Sequence, residues 1–315
     1  MHGCLTYSAK GGYGVKKYVL EESFSGQEDN KAEAFLEYPG GKRRIAQKIV
    51  SLFPEHHSYL EPFFGSGAVL FQKPRSHIET VNDLDDNVTN LFEWIRRDPE
   101  RLARELYLIP YARSVYDGAF SGGPENSLEK AINFCIRMNM GHGYQTGAKK
   151  PGWKNDVQGR ERAYAAQNWS ALPDKILFAA ERLRGVQIEN RPAAEVIKRF
   201  RGKNVLIYAD PPYPLSTRYK GKTMYRYDMG DCDHEELLGL LLQHKGLVVL
   251  SGYECELYNE QLQGWYKLSF PVYTQNSKAR SEIIWTNFEP WGQMSILDLY
   301  VNQDSGGGPN KEVKK

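Results

Sequence analysis

One short segment constrains the fold of this 315-residue chain more than any other. The apolar residues 205–209 run directly into Asp210-Pro211-Pro212-Tyr213. A continuous apolar run of this length is typical of a strand buried on both faces, and two prolines end it because they donate no backbone hydrogen bonds. Parallel sheets built from such strands bind ligands at the carboxyl ends of the strands. The segment therefore predicts an α/β fold with a site at Asp210.

Other segments fit the same kind of sheet. Residues 58–71 have the pattern of a short strand, a glycine-rich turn at 65–67 and the start of a helix, and residues 77–87 that of a second strand. This order is typical of a βαβ unit. Further strands are predicted at residues 186–190, 246–253 and 282–288, and further helices at residues 43–53 and 234–245.

Between residues 88 and 184 the strand pattern gives way to helical spacing, interrupted by a loop rich in glycine and lysine. Helices are predicted at residues 88–97, 99–109, 127–139 and 172–184. The simplest organisation is one α/β domain, residues 34–87 and 185–290, with a helical insertion at 88–184. Residues 1–33 are expected to be a flexible N-terminal segment, and residues 291–315 a C-terminal segment that ends in a polar tail.

The turn after the apolar run can bind an amine. The Asp210 carboxylate and the Asp210 and Pro211 carbonyls form a set of acceptors that suits an exocyclic amino group, and the Tyr213 ring offers a face for a planar base. An isolated segment of this type is equally compatible with a rigid turn and a capping aspartate.

The glycine-rich turn is a second candidate. Glycines between a strand and a helix let the backbone approach a ligand closely, although the spacing here is not that of G-x-G-x-x-G, and a plain tight turn is the alternative. Asp83, at the end of the next predicted strand, can accept both hydroxyls of a ribose. Asp85 and Asp86 are neighbouring alternatives for that role.

Cysteine and histidine spacing gives no metal site. The 4 cysteines lie far apart without a C-x-x-C pair, and no zinc-ligand spacing joins them to the 7 histidines. Reduced thiols in a cytoplasmic protein are therefore expected. No apolar run approaches the roughly 18 residues of a membrane span, and the first thirty residues lack the apolar core of a secretory signal.

Taken in order, these segments resemble the Dam-type DNA adenine N6-methyltransferases, site-specific enzymes of bacteria and phages. The resemblance rests on Tyr38-Pro39-Gly40-Gly41-Lys42, Glu61-Pro62-Phe63-Phe64-Gly65-Ser66-Gly67, Asp83, the helical insertion and Asp210-Pro211-Pro212-Tyr213. Residues 233–238, 250–253 and 280–287 are similar to closing elements of the same enzymes, so the resemblance covers about 38–289. It implies a Rossmann-like sheet that uses S-adenosyl-L-methionine, with a helical insertion for target recognition.

The resemblance also implies roles for individual residues. Tyr38, Gly41 and Lys42 would contact the methyl donor from the first turn, and Asp83 would hold its ribose. The loop beneath the amino-acid part of the donor would contain Glu61, Pro62, Phe63, Gly65 and Gly67. Asp210, followed by Pro211 and Pro212, would lie between donor and target base, and Tyr213 would stack on a flipped adenine. Residues 137–143 depart from the better-known Dam pattern, so no recognition sequence is implied.

The net charge of only +2, from 41 Lys+Arg and 39 Asp+Glu, does not by itself indicate a nucleic-acid-binding protein. Basic residues nevertheless concentrate in two loops, one in the insertion and one after Tyr213, where they can neutralise phosphates or read guanine. The candidate DNA-binding residues are Arg137, Lys149, Lys150, Lys154, Arg160, Arg218, Lys220 and Lys222. Ordinary solvated loops are the alternative.

The sequence therefore predicts a site-specific DNA methyltransferase that transfers a methyl group to N6 of an adenine flipped out of duplex DNA. Methylation of cytosine N4 or of RNA, and a catalytically silent DNA-binding module, are the alternatives. No metal is expected to take part. A restriction endonuclease is a candidate partner. The chain is expected to be a monomer or weak dimer, encoded by a prokaryote or a phage and located in the cytoplasm.

Overall fold

The computed structural model describes residues 4–5, 22–23, 36, 38–142, 146, 150–155, 164–218, 224–273 and 279–290. Two compact units are separated at Lys31: Met1–Lys31 and Ala32–Lys315. In the first unit, strands β1 (Cys4–Leu5) and β2 (Glu22–Ser23) pair antiparallel. The rest of the predicted N-terminal segment before Leu36, and all of residues 291–315, lie outside the described residues.

The second unit contains a seven-stranded sheet of order β5-β4-β3-β6-β7-β9-β8. Its strands are β3 (Ser58–Glu61), β4 (Ile78–Asn82), β5 (Val186–Glu189), β6 (Val205–Ala209), β7 (Leu247–Gly252), β8 (Tyr266–Tyr273) and β9 (Ala279–Thr286). The strands from β5 to β7 pair in parallel, whereas β9 runs antiparallel to both β7 and β8. This mostly parallel sheet confirms the predicted Rossmann-like α/β fold.

Helices cover the sheet, and most of them come between β4 and β5 in the sequence. They are α1 (Ala46–Ser51), α2 (Asp86–Arg97), α3 (Pro99–Leu108), α4 (Arg113–Gly118), α5 (Ser127–Met140), α6 (Ala165–Ser170), α7 (Leu172–Arg182), α8 (Ala193–Arg199), α9 (Asp231–Leu242) and α10 (Glu256–Gln261). In the sequence, helices α2 to α7 all come after β4 and before β5. The division into a sheet domain and a recognition insertion stays a prediction.

Capping side chains define where the longer helices begin. Asp85 accepts a hydrogen bond from the Asn87 amide at the start of α2, and Asp98 accepts one from the Arg101 amide at the start of α3. Each cap satisfies a backbone donor that the first helical turn leaves without a partner. The cap on α2 fixes the turn directly after β4, and this turn carries Asp83.

Strand β6 is buried on both faces, as its apolar run predicts. Leu206 and Tyr208 point into an apolar cluster that continues into α2, α3, α5 and α7. Val205 and Ile207 point into a second cluster, which α8, α9 and α10 cover. The end of β6 is thereby held rigidly from two sides, and Asp210 follows immediately.

The prediction of a helix after Gly67 is wrong, because residues 68–72 form turns and residues 73–77 are irregular. Only short stretches of helical hydrogen bonding occur there, such as the Phe71 amide to the Gly67 carbonyl at 3.0 Å and the Lys73 amide to the Val69 carbonyl at 3.1 Å. Pro74 ends this stretch because it lacks the amide needed for the next bond. Strand β8 and the short helices α4, α6, α8 and α10 were not predicted.

Candidate active site

Three carboxylates meet at one edge of the sheet. Glu61 ends β3, Asp83 follows β4, and Asp210 follows β6. These strands are neighbours in the sheet, so their carboxyl ends lie side by side. All three residues line a cavity of about 240 Å³, together with Tyr38, Gly41, Lys42, Pro62, Phe63, Gly65 and Pro212. Most of the predicted donor-binding residues are therefore brought together in one place.

Lys42 lies at the centre of a buried group of charges. Its Nζ is 2.7 Å from Oδ2 of Asp210 and 3.4 Å from Oε1 of Glu282, and it donates to the Gly40 carbonyl at 2.8 Å. The same ammonium lies 4.9 Å from the centroid of the Tyr213 ring. One positive charge is thus placed between two carboxylates and beside an aromatic face.

The pKa values of this pair reflect burial and mutual attraction. Burial raises the pKa of the Asp210 carboxyl to about 6, Lys42 opposes that shift, and Glu282 adds to it. Burial lowers the pKa of the Lys42 ammonium, but Asp210 and Glu282 outweigh this effect and hold the pKa above its usual value. Lys42 is therefore charged at neutral pH, and Asp210 becomes ionised as the pH rises through about 6.

Tyr213 is buried, and it does not line the cavity. Its hydroxyl donates to Oε1 of Glu282, which also accepts from the Ser251 hydroxyl at 2.9 Å. The Tyr213 ring contacts the edge of Tyr253 at a centroid distance of 4.5 Å. The tyrosine predicted to stack on a base is therefore anchored at its hydroxyl end.

Glu61 is nearly fully buried, and its Oε2 accepts a hydrogen bond from the Tyr59 hydroxyl at 2.7 Å. Burial raises the pKa of Glu61 to about 8, although the bond from Tyr59 opposes the shift. At neutral pH this carboxyl is largely protonated, and a cation entering the cavity would favour its ionised form.

The glycine-rich turn brings Gly65, Asp83 and Tyr38 into contact. Gly65 has φ of +50°, and its amide donates to Oδ2 of Asp83 at 2.8 Å. A Cβ at Gly65 would lie 2.9 Å from Cε1 of Tyr38. Only glycine avoids strain at this φ and leaves room for the tyrosine ring.

Three aspartates follow β4, and the structure gives them different neighbours. Asp83 accepts from the amides of Gly65 and Asp85, and burial raises its pKa to about 7, an effect that those two bonds oppose. Asp85 caps α2 and lies 3.2 Å from Arg226, while Asp86 pairs with Lys130 and Arg226. Asp83 and Asp85 line the cavity, and Asp86 does not.

Residues 225–229 form one wall of the cavity, and this wall was not predicted from the sequence. Tyr225 donates from its hydroxyl to the Pro39 carbonyl at 3.1 Å, and Arg226 bonds to Asp85 and Asp86. Glu282 was also missed as a site residue. The signal that could have found it is a lone carboxylate at the start of an otherwise apolar strand segment.

The predicted DNA-binding residues of the insertion differ in their surroundings. Arg137 on α5 is half-buried with its guanidinium 5.8 Å from the Phe120 ring, and burial lowers its pKa. Lys150 is exposed and lies 2.6 Å from Asp117. The charge of Lys150 is therefore partly compensated on the protein surface.

The other predicted basic contacts are less exposed or lie outside the structure. Lys154 donates to the Asn139 carbonyl at 3.2 Å. Arg218 is buried, with a side chain 6% exposed, and lies 2.5 Å from Asp228. Its guanidinium therefore holds the loop after Tyr213 rather than extending from it. Four further predicted residues lie outside the described ranges: Lys149, Arg160, Lys220 and Lys222.

Two kinds of feature, a metal site and a membrane-spanning helix, are absent from the part of the chain that the structure describes. No group of three or more histidine, cysteine, aspartate or glutamate side chains could hold a metal ion there. No helix in that part is long and apolar enough to cross a membrane.

Fold and site together define an enzyme of the α/β methyltransferase class. The D12 class N6 adenine-specific DNA methyltransferase family matches residues 38–278, and the chain belongs to this family. The predicted adenine-specific DNA methyltransferase activity is thereby confirmed, and the family description favours DNA adenine over the cytosine N4 and RNA alternatives. Membership implies S-adenosyl-L-methionine as the methyl donor.

Named relatives agree with the family. The chain is 23% identical over 286 residues to the Type II methyltransferase M1.LlaDCHI of Lactococcus lactis subsp. cremoris, covering 81% of this chain and 95% of that protein. It is 22% identical over 266 residues to the Type II methyltransferase M.MjaIII of Methanocaldococcus jannaschii, covering 75% and 89%. It is 24% identical over 196 residues to a DNA adenine methylase of Vibrio cholerae serotype O1, covering 59% and 68%.

Proposed function

We propose that this chain transfers a methyl group from S-adenosyl-L-methionine to N6 of an adenine rotated out of duplex DNA, with Asp210 as the residue that receives the amino group. The observation that carries the proposal is the position of Asp210. It lies at the end of a strand buried on both faces, borders the cavity, and has Lys42 2.7 Å from its carboxylate.

The residues around the cavity fit this methyl donor. The donor supplies a methyl group on a positively charged sulfonium, and it also carries a ribose and an amino acid. The Glu61, Asp83 and Asp210 carboxyls at the cavity suit a ligand with positive charge and hydroxyl groups. Asp83 is the proposed acceptor for the ribose hydroxyls because it faces the cavity without also capping a helix.

The chemistry proposed for Asp210 follows from the electronic state of the target. An adenine amino group is a poor nucleophile because its lone pair is delocalised into the ring. The Asp210 carboxylate and the Pro211 carbonyl would accept its two hydrogens, bias the nitrogen toward tetrahedral geometry and aim the lone pair at the donor methyl. As the nitrogen–methyl bond forms, the methyl–sulfur bond would break and a neutral thioether would leave, while the carboxylate would take the proton that the nitrogen loses. Fixed geometry supplies much of the rate in such a transfer.

A base inside a duplex cannot reach this position. Rotation out of the helix costs a few kcal/mol of unstacking, and the flipped base is expected to regain part of that free energy by stacking on Tyr213.

Arg137 is the proposed phosphate contact best supported by its surroundings. Its guanidinium lies over the Phe120 ring, whereas Lys150 and Arg218 each pair with an aspartate. A restriction endonuclease partner and a monomeric or weakly dimeric state remain predictions.

Transfer of labelled methyl from S-adenosyl-L-methionine to duplex DNA tests the proposal, with nucleoside analysis of the product. Asp210→Asn keeps the shape of the side chain but removes the charge, so we expect activity to fall by about 1,000-fold. Asp174→Asn, on the exposed side of α7, is the matched control and should keep full activity. Both variants should have the far-UV circular dichroism of the wild type.

Two outcomes would contradict the proposal. Substantial transfer by Asp210→Asn would remove Asp210 from the mechanism. A wild-type chain that binds DNA but shows no donor binding by calorimetry would instead be a catalytically silent DNA-binding module on this scaffold.

A further inference from the structure

Glu282 is a buried carboxylate for which the proposed transfer gives no direct use. It lies on β9, the strand that runs antiparallel beside β7, and its residue is 5% exposed. Burial of an ionised carboxylate is costly unless hydrogen bonds and opposite charge offset the lost hydration. A charge placed here therefore calls for an explanation from its contacts.

Those contacts converge on one oxygen. Oε1 of Glu282 accepts from the Tyr213 hydroxyl and from the Ser251 hydroxyl, and lies 3.4 Å from Nζ of Lys42. Lys42 in turn contacts Asp210 at 2.7 Å. Glu282 thus fixes two neighbours of Asp210, the ammonium that pairs with the carboxylate and the ring that ends the Asp-Pro-Pro-Tyr segment.

The position of Glu282 in the sheet explains why it can do this. Strands β6 and β7 are parallel neighbours, and Ser251 lies near the end of β7. The pairing of Gly252 with Ile283 carries the adjacent Glu282 to the same edge from the antiparallel strand. The Glu282 carboxylate is therefore held by paired strands of the sheet and not by a loop.

We propose that Glu282 is a positioning residue of the methyl transfer. It holds the Tyr213 ring and the Lys42 ammonium in fixed positions beside Asp210. This inference rests on the proposed function. Glu282 does not itself line the cavity, and it acts through the two side chains that it binds, Lys42 and Tyr213. Its negative charge also affects Asp210, because it adds to the rise in the pKa of that carboxyl.

The test is Glu282→Gln, which keeps the size of the side chain but removes the charge. We expect kcat for transfer to duplex DNA to fall by about 10- to 100-fold, with little change in the KM for S-adenosyl-L-methionine, because the 2.7 Å pair of Lys42 and Asp210 remains. The acid limb of the pH profile of kcat/KM should move to lower pH, since the removed charge no longer raises the pKa of Asp210. A purely structural role would lower the whole profile without moving that limb.

Matched variants separate positioning from folding. Glu254→Gln changes an exposed glutamate that pairs with Lys267 at 2.6 Å, and it should leave both kcat and the acid limb as in the wild type. Tyr213→Phe and Ser251→Ala each remove one hydroxyl from the same glutamate oxygen. Tyr213→Phe should lower kcat more than Ser251→Ala, because only the first releases the ring beside Asp210. These two variants decide the question if Glu282→Gln does not fold.

The outcomes are distinct. Suppose that the wild type is active. An unmoved acid limb in Glu282→Gln, or equal kcat values for Tyr213→Phe and Ser251→Ala, then overturns the role of Glu282 but leaves the proposed function intact. Combined Glu282→Gln and Tyr213→Phe changes should lose less than the product of the two separate losses, because both remove the same bond. A wild type without methyl transfer overturns the proposed function itself.

Discussion

Gly67 shows how closely the turn beneath the cavity is packed. It has φ of +69°, and a Cβ there would lie 2.7 Å from Cζ of Phe64 and 2.8 Å from Cε2 of Phe71. Both rings belong to the apolar cluster under the sheet, so they cannot move without disturbing their neighbours. The glycine is therefore required for two reasons, its backbone conformation and its lack of a side chain.

Gly67→Ala separates these reasons when it is compared with Gly122→Ala. Gly122 has φ of +74°, but nothing lies within 4 Å of the position of a Cβ. We expect Gly122→Ala to lower the free energy of unfolding by about 1 kcal/mol from backbone strain, and Gly67→Ala by about 3 kcal/mol because overpacking adds to that strain. Urea denaturation measures both free energies of unfolding. Equal losses of free energy would show that the Phe64 and Phe71 rings move to make room for the added methyl group.

The positions of cavity residues that follow from a local pattern were predictable from the sequence. Asp210 was predictable because an apolar run and two prolines surround it, and Asp83 because it follows the next strand. Glu282 was not, because its neighbours Lys42, Tyr213 and Ser251 are distant in sequence and meet only when the strands pair. Arg218 was predicted as a DNA contact from its basic loop, and no pattern in that loop predicts its buried pairing with Asp228.

The same distinction applies to the helices and strands. Helices α2, α3, α5 and α7 have an apolar stripe long enough to be read from periodicity, and α2, α3 and α5 also begin at a capping Asp or Asn. Helices α8 and α10 have 7 and 6 residues, too few to establish a period. Strand β8 contains Pro271 and a lysine, so its pattern is weak, and pairing with β9 is what makes it a strand.

Strand β4 and helix α7 are joined by a buried group of charges. Glu79 accepts two bonds from Arg182, at 2.6 and 2.8 Å, and one from Lys73 at 2.7 Å. Burial alone would raise the pKa of Glu79, but the hydrogen bonds from Arg182 and Lys73 reverse the shift and lower it. The glutamate side chain is 3% exposed, so loss of its charge leaves two cations without compensation.

Glu79→Gln should lower the free energy of unfolding by about 3 kcal/mol at neutral pH, because it breaks a buried ion pair. Since the folded pKa of Glu79 is lowered, this stabilisation is complete above its unfolded value of about 4.3 and is lost as the pH falls through the folded value. The difference between the two proteins should therefore shrink in acid. Glu181→Gln, in an exposed pair with Arg184, is the control and should cost under about 0.5 kcal/mol at any pH.

A net charge of +2 for the entire chain conceals an uneven distribution. Acidic residues concentrate at the end of the sheet that carries Asp83 and Asp210, and the predicted DNA contacts come from the insertion and from the loop after Tyr213. Affinity for duplex DNA is thus expected to depend on few cations, with a logarithmic salt slope that reflects how many phosphates they neutralise.

Arg137→Gln should weaken DNA binding at low salt and reduce the magnitude of that slope by about 1 if this guanidinium contacts a phosphate. Arg184→Gln, in the exposed turn after α7, removes the same charge elsewhere on the surface and should leave the slope nearly unchanged. Fluorescence anisotropy with a labelled duplex over a range of salt concentrations measures both. Equal slopes for Arg137→Gln and the wild type would place Arg137 away from the DNA.

The apolar cluster that joins one face of the sheet to helices α2, α3, α5 and α7 limits how this enzyme can evolve. Residues such as Phe92, Phe134 and Ile176 pack in the same core as Tyr59 and Tyr208, so the helices cannot be exchanged as a cassette without rebuilding the interior that supports the cavity. The recognition role predicted for these helices would therefore be altered more readily by substitutions on their outer surfaces and in their connecting loops. Grafting a whole segment from a distant relative would put folding at risk before recognition could change.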